Sequence, residues 1–489
     1  MQYLQAKICF LSIELLLSMF VLLSLLFATV CNSKKYSFQP LLKPLTCFSI
    51  FFFIALIAGF NYFEPNFFFS SFSVHSQLTF YSHFFKIVAL VSCFSIALLN
   101  RDFFRLFLQG FEYDILLGFS ILGLFILINS NNFLMVYLAL ELLSLAFYVL
   151  TCFHRGSEYA TEAGLKYFLM GAFSSCLILF SFWAFYFLYG TCNIEHIAFL
   201  VVSGENTYFA LLGFAFLIAS LFFKIGAFPF HMWLFDIYEG TLISVTAFFS
   251  TVPKILLFAL IAKLSYLLFN EFSSFFDIAF LGCAFLSIAF SSVAGLYQKR
   301  IKRLMVYSTI SHTGFLLLAI FCCSILSLKA FVLYLTLYSL MSLCLFSFLM
   351  SLVIAGSNEG HWKYMVNWAS SGSKNLWFSI LFSLLLFSLA GIPPLSGFFS
   401  KFWSLLGLVD RGFISMSLAI ILFSCIAAFF YIRLVKVFFF STINRRRSFW
   451  FTSTAYCADY VCIVTSLVTC LFCFFPNALI IVANLLALV

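Results

Sequence analysis

Long apolar runs follow one another from end to end of this sequence, separated by short segments that hold most of its charge. A helix needs about 20 mostly apolar residues to cross the hydrocarbon core of a bilayer. Fourteen runs meet that requirement: 8–30, 44–62, 79–99, 113–129, 132–153, 166–189, 208–232, 242–266, 273–296, 304–327, 330–355, 375–406, 413–440 and 456–485. No period-two alternation with turn punctuation competes with them, which argues against a barrel. The first run is long and lacks a small-residue cleavage site, so it reads as a retained helix. The longest connections, near 61–78, 190–207 and 356–374, are too short for a soluble domain. The pattern predicts an all-α polytopic membrane protein with about fourteen transmembrane helices.

Composition agrees. Of 489 residues, 64% are hydrophobic and 9% charged, and mean hydropathy is +1.13. A soluble domain is about a quarter charged, so a soluble enzyme, a nucleic-acid binder and a disordered scaffold are excluded. The 75 phenylalanines exceed what bilayer solvation asks for. Codon bias in a T-rich genome accounts for them, and organelle genomes are a common setting. The 16 cysteines lie mostly within apolar runs, where thiols act as small hydrophobes. Cys470 and Cys473 have no second pair to complete a metal or cluster site, and there is no nucleotide-binding glycine motif.

Charge fixes the orientation. Odd-numbered connections hold Lys34, Lys35, Lys43, Arg101, Arg105, Arg155, Lys166, Lys299, Arg300, Lys302, Arg303, Lys363, Lys374, Arg433, Lys436, Arg445, Arg446 and Arg447, whereas even-numbered ones hold Lys329 and Arg411. The positive-inside rule places the odd connections on the negative side of the membrane and, with an even number of spans, both termini on the other. Arg445–Arg447 reads as a topology anchor, with contact to a lipid headgroup or partner as the alternative.

The remaining cations are Lys7 near the start, and Lys86, Lys224, Lys254, Lys263 and Lys401 within spans. An ionisable group at mid-bilayer costs several kcal/mol and marks a functional site by default. Lys86 and Lys263 lie near span ends, where a lysine can snorkel to the interface, and Glu14 is similar. Glu141, Lys224, Lys254 and Lys401 are deeper or sit beside helix breaks. The breaks fall in the seventh run, at Gly226–Pro229, and the twelfth, at Gly391–Pro394. Proline removes a backbone donor, and within a membrane the freed carbonyls must meet protein or water, so such breaks line cavities. Two Gly-x-x-Pro breaks five spans apart fit inverted repeats around a midplane ion path, spans 4–8 and 9–13; two unrelated kinks are the alternative. The corresponding division is 1–112 for helices 1–3, 113–266 and 267–440 for the repeats, and 441–489 for helix 14.

A lysine taken out of water holds its proton less tightly, and a nearby carboxylate restores the hold. Glu141 and Lys224, brought together or drawn apart, would switch that affinity, and Lys254 and Lys401 would extend a proton relay. His231, Thr246, Ser250, Thr251, Ser308, Thr309, Ser311 and His312 are candidates to bridge gaps. For the two histidines, hydrogen-bonded packing is the alternative.

Several blocks resemble the antiporter-like membrane subunits of respiratory complex I (NADH:ubiquinone oxidoreductase), subunit 2 in particular. They are Glu141–Leu145 with Thr161–Phe168, Lys224–Trp233 with Asp236–Gly240, Val245–Phe249, Val252–Lys254, Ile301–Leu304 with Tyr307–His312, and Ala390–Phe398 with Lys401. The resemblance covers roughly 110–440. It implies the antiporter-like fold, with two inverted five-helix repeats and discontinuous helices 7 and 12. It implies a proton-translocating part of an enzyme complex, with Glu141, Lys224, Lys254 and Lys401 on the relay. It implies no cofactor in this chain: flavin, iron–sulfur clusters and ubiquinone belong to partner subunits, alongside sister antiporter-like subunits and phospholipids. Thr161–Tyr167 is closer to mitochondrial than to plastid versions. With the phenylalanine bias, it points to an organelle-encoded inner-membrane protein with both termini in the intermembrane space. One departure is Thr241–Ser244, where the family has a proline-rich run, which leaves the start of the eighth helix open. A free-standing cation/proton antiporter and a non-conducting spacer are the rival readings. The first needs a sodium-coordinating carboxylate site, and Glu141 is the only mid-span carboxylate. The second needs no deep ionisable residues.

Overall fold

The computed structural model describes residues 14–26, 74–107, 112–154, 156–202, 207–269, 273–356, 363–368, 376–440 and 456–487. The expected span at 44–62, and Lys7, Lys34, Lys35, Lys43, Arg155, Lys374 and Arg445–Arg447, lie outside them.

Helices account for nearly all of the described chain. In order they are α1 (Glu14–Leu26), α2 (Val74–Phe107), α3 (Glu112–Asn129), α4 (Phe133–Thr151), α5 (Glu158–Tyr189), α6 (Ile194–Val202), α7 (Thr207–Ile225), α8 (Met232–Gly240), α9 (Ile243–Leu264), α10 (Ser273–Tyr297), α11 (Ile301–Phe321), α12 (Ile325–Gly356), α13 (Leu376–Ala390), α14 (Ser396–Asp410), α15 (Ile414–Phe440), α16 (Tyr456–Phe474) and α17 (Asn477–Ala487). Among the described residues, eleven helices are long and apolar enough to cross a membrane.

Several boundaries differ from the hydropathy reading, each for a local reason. α5 begins eight residues before the apolar run, at an extended Ser157 in the N-cap position. Its first turns are polar and project beyond the apolar layer. α6 occupies what read as a connection; it is short, and its Ile194 and Ile197 are fully buried. The last run is two helices, because Pro476 interrupts it between Phe474 and Asn477. Helix α9 starts without the family's proline run. Thr241 closes α8 by donating its hydroxyl and its N–H to the Ile237 carbonyl, and Leu242 is the extended residue before α9.

The centre of the molecule is built on α9 and α11, whose apolar windows are completely enclosed, and on α12, which nearly is. α5 and α15 lie at the periphery. Phenylalanine fills the interior (Phe85, Phe125) and faces outward (Phe187, Phe440) alike, as expected of a compositional bias without one structural task.

The charges sort by connection parity as the positive-inside argument requires. On one face Glu239, at the end of α8, pairs with Arg300, Arg303 and Lys363. Nearby, Asp236 pairs with Lys166 at 2.8 Å. Backbone bonds tie Ile301 to Lys363 and Met365 to Lys299 across the same face. These groups come from the fifth, seventh, ninth and eleventh connections. On the other face Asn131, of the fourth connection, bonds to Glu195 of the sixth and receives Lys263 from the end of α9.

Candidate site: a buried row of ionisable side chains

The two helix breaks have the same backbone. Gly226 and Gly391 both take positive φ, +77° and +85°, and each break carries a cis X–Pro peptide. In each, the glycine N–H donates to the carbonyls three and four residues back, and the next N–H reaches five back: Gly226 and Ala227 to Phe222, Gly391 and Ile392 to Phe387. That is a Schellman-type end, which closes a helix and lets the chain turn away.

The lysines sit differently on this common frame. Lys224 is in the last turn of α7, before its break. Lys401 is inside α14, after its break. Proline explains where Lys401 points. In an uninterrupted helix, the carbonyls of Leu389 and Ala390 would accept from residues 393 and 394, which are both proline and have no N–H. The Lys401 ammonium donates to these two oxygens, at 3.0 and 2.8 Å. Gly391 makes room for it: a Cβ there would lie 2.9 Å from Lys401 Cδ and 3.0 Å from Nζ.

Lys254 follows Pro253 inside α9, where the helix continues but the Phe249 carbonyl loses its donor. The residue is 4% exposed, and among the described residues its Nζ has no hydrogen-bond partner. It lies 5.8 Å above the Tyr338 ring. A cavity of about 40 Å³ opens between Lys254 and Lys224, lined also by Ser144, Tyr238, Phe249 and Pro253. That volume holds roughly two or three waters. Glu141 reaches this wall through Ser144, whose hydroxyl donates to its carboxylate at 3.3 Å. Among the described residues no ion pair joins Glu141 and Lys224.

On the far side of Lys254, the row continues through His312 in α11. This imidazole is 2% exposed, and its Nδ1 lies 2.8 Å from the Tyr334 hydroxyl. The Tyr338 ring, shared with Lys254, is 5.5 Å away. Phe315, one turn along α11, lies under Lys401 at 5.6 Å. Lys224 and Lys254 thus share one cavity, Glu141 reaches its wall through Ser144, and His312 and Lys401 lie beyond the Tyr338 and Phe315 rings. His231 precedes α8, and its ring is enclosed by Phe228, Phe235 and Phe290.

The hydroxyl candidates are more occupied than expected. Thr246, Ser250, Thr251, Ser308, Thr309 and Ser311 all donate to carbonyls of their own helices, which leaves only acceptor capacity for a relay. Buried tyrosines are the polar groups that pattern reading missed. Tyr334, Tyr338 and Tyr431 are all enclosed, with Tyr338 beneath Lys254, Tyr334 at His312 and Tyr431 beside Ser308 and Ser311. In apolar runs rich in aromatics, nothing in their spacing separates them from packing residues.

Lys86 and Lys263 do not snorkel; both turn inward. Lys86 is fully buried and paired with Glu14 at 2.9 Å, and Asn129 donates to the same carboxylate oxygen at 2.6 Å. Lys263 caps the end of α3 and the following turn through the Ser130 carbonyl and Asn131 Oδ1, at 2.9 and 2.7 Å. Removing one member of a buried pair strands the other charge, at a cost of about 3–5 kcal/mol. Glu14→Leu is expected to lower stability by about that much, and Lys86→Met in the same chain to recover most of it. Thermal dissociation of the purified assembly measures both; equal losses in the single and double variants would refute the pairing.

These features define a polytopic membrane protein with ionisable groups crossing its enclosed core. The sequence of residues 130–429 matches the NADH:quinone oxidoreductase/Mrp antiporter transmembrane family, and the chain belongs to that family. It is 33% identical over 422 residues to the NADH-ubiquinone oxidoreductase chain 2 of Marchantia polymorpha, covering 84% of each chain. It is 36% identical over 361 residues to the NADH-quinone oxidoreductase subunit N of Rhodobacter capsulatus, covering 74% of this chain and 75% of that one. Its fold is that of a chain of respiratory complex I from Thermus thermophilus, with a TM-score of 0.77 at 22% identity, over 96% of this chain and 98% of the other.

Proposed function

We propose that this chain is the proton-translocating subunit 2 of the membrane arm of respiratory complex I. The enzyme is an NADH:ubiquinone reductase whose redox chemistry, with its flavin, iron–sulfur clusters and quinone site, resides in partner subunits. The observation that carries the reading is the cavity shared by Lys224 and Lys254, with Glu141 behind Ser144 on one side and His312 and Lys401 beyond the Tyr338 and Phe315 rings on the other.

The row works by changing proton affinity in sequence. When the Glu141 carboxylate closes on Lys224, it holds that ammonium's proton; when it withdraws, desolvation favours release. The proton then passes across the cavity to Lys254, whose ammonium lacks any fixed acceptor, and onward through His312 to Lys401. Lys401 is different in kind. Two backbone carbonyls stabilise its charged form, so it is the station where a proton rests. His231 takes no part in this scheme.

Family membership and the plant chain-2 relatives support a mitochondrial inner-membrane location. There the face carrying Glu239, Arg300, Arg303 and Lys363 meets the matrix, and both termini meet the intermembrane space. Sister antiporter-like subunits and phospholipids then surround the outward-facing apolar helices. The alternative is a free-standing cation/proton antiporter. Mild solubilisation and purification through this chain decide between them. The expected result is recovery with flavin- and iron–sulfur-containing subunits and with NADH oxidation. A lone protein that exchanges sodium for protons in liposomes would overturn the proposal.

A further inference from the structure

Tyr334 is buried in α12 and has one side-chain partner in view, the Nδ1 of His312 at 2.8 Å. Its ring is stacked with Phe315 at 6.0 Å and 17°, so the hydroxyl is held in place by packing. The other imidazole nitrogen, Nε2, is buried and has no hydrogen-bond partner. Among the described residues one nitrogen is thus engaged and the other is not, in a ring that faces Tyr338, as Lys254 does.

We infer that Tyr334 is a positioning residue for the relay: it accepts a hydrogen bond from His312 Nδ1–H and so makes Nε2 the nitrogen that exchanges protons. The inference rests on the relay reading above. An Nδ1–H to oxygen bond fixes which nitrogen of a histidine is free to act. Only this polarity survives proton transfer. In neutral His312, Nδ1 carries hydrogen and the Nε2 lone pair is open; after protonation, Nδ1 still donates to Tyr334. With the opposite polarity, the neutral ring would carry hydrogen on Nε2, and the phenol would have to rotate whenever Nδ1 took up a proton. A bond that needs no reorganisation costs nothing at the moment of transfer.

The steps balance. Through intervening water, the Lys254 ammonium loses a proton to Nε2, giving a neutral amine and an imidazolium. The imidazolium then loses the Nε2 proton, again through water, to a neutral Lys401 amine, giving an ammonium bound by Leu389 and Ala390 and restoring the neutral ring. No bond to Nδ1 changes in either step.

The test uses the intact complex with Tyr334→Phe, which keeps the ring that stacks on Phe315, and with His312→Gln, singly and together. Tyr338→Phe is the control, since that hydroxyl donates to the Ser250 carbonyl at 3.1 Å and not to the imidazole. Two quantities are read: protons moved per electron, and the imidazole tautomer bands in infrared difference spectra of ring-15N-histidine samples. Tyr334→Phe is expected to move the His312 bands to the other tautomer and to slow the proton flux carried by this subunit about tenfold, with no further loss when added to His312→Gln. Tyr338→Phe is expected to leave the tautomer bands unchanged. Unchanged bands in Tyr334→Phe, or losses that multiply in the double variant, overturn the inference. Shifted bands with undiminished flux in both single variants would instead overturn the relay role of His312, leaving its orientation by Tyr334 standing.

Discussion

Lys254→Met is expected to slow proton translocation and the NADH oxidation coupled to it by at least about tenfold, while the protein assembles as well as before. The two halves of that expectation come from one observation. The Lys254 ammonium is buried without a hydrogen-bond partner. An amine taken out of water in that position opposes folding, and an apolar side chain of similar volume is expected to be neutral or stabilising. Methionine matches the length of lysine and adapts to irregular space, so the cavity wall next to Pro253 is kept. Thermal dissociation of the complex is expected to be unchanged or raised as pumping falls. A variant that loses assembly and pumping together would make Lys254 a structural residue.

The second large effect is expected from Gly391→Ala. Alanine at φ +85° carries a backbone cost of about 1–2 kcal/mol. Its Cβ also meets Lys401 Cδ and Nζ at 2.9 and 3.0 Å. Lys401 then withdraws from the Leu389 and Ala390 carbonyls, which have no other donor in reach because residues 393 and 394 are proline. Together these predict a loss of about 2–4 kcal/mol and impaired translocation. Gly412 supplies the control: its φ is +84°, and a Cβ there meets nothing within 4 Å. Gly412→Ala is expected to show the backbone part alone, about 1–2 kcal/mol, with translocation intact. Equal losses in the two variants, measured by thermal dissociation, would remove the argument that Gly391 exists to admit Lys401.

Most of this architecture was legible in the sequence because bilayer solvation leaves few options. Runs long enough to span predict the helices, and cations concentrated in alternate connections predict charged groups gathered by connection parity, as in the Glu239 and Asn131 clusters. Boundaries were less legible, since hydropathy marks the apolar layer and not the helix: α5 starts at Glu158, and Pro476 splits the last run. The deep lysines stood out because a charge in an apolar run has no cheap explanation. Their surroundings did not. Lys86 and Lys263 sit near span ends, where a long side chain has the choice of turning in or out, and only the positions of Glu14, Asn129 and Asn131 in space settle it. Tyr334 was invisible for the opposite reason. One tyrosine among many aromatics carries no sequence signal, and its meaning comes entirely from the imidazole it meets.

The pairing of proline and lysine is the point where sequence and site meet most closely. Pro393 and Pro394 end a helix and leave two carbonyls open, and a lysine from the next helix fills both. The same prolines that break the helix leave open the two oxygens that hold the Lys401 ammonium inside the enclosed core, so the break and the buried lysine are one interaction.

The central claim is that protons cross this chain through Lys224 and Lys254. It is tested most directly by the number of protons moved per electron in sealed vesicles containing the complex, with NADH oxidation recorded in the same trace, for Lys224→Ala and Lys254→Met. The account predicts a ratio below that of the parent enzyme in both variants. An unchanged ratio in both, at whatever rate NADH is oxidised, would contradict it.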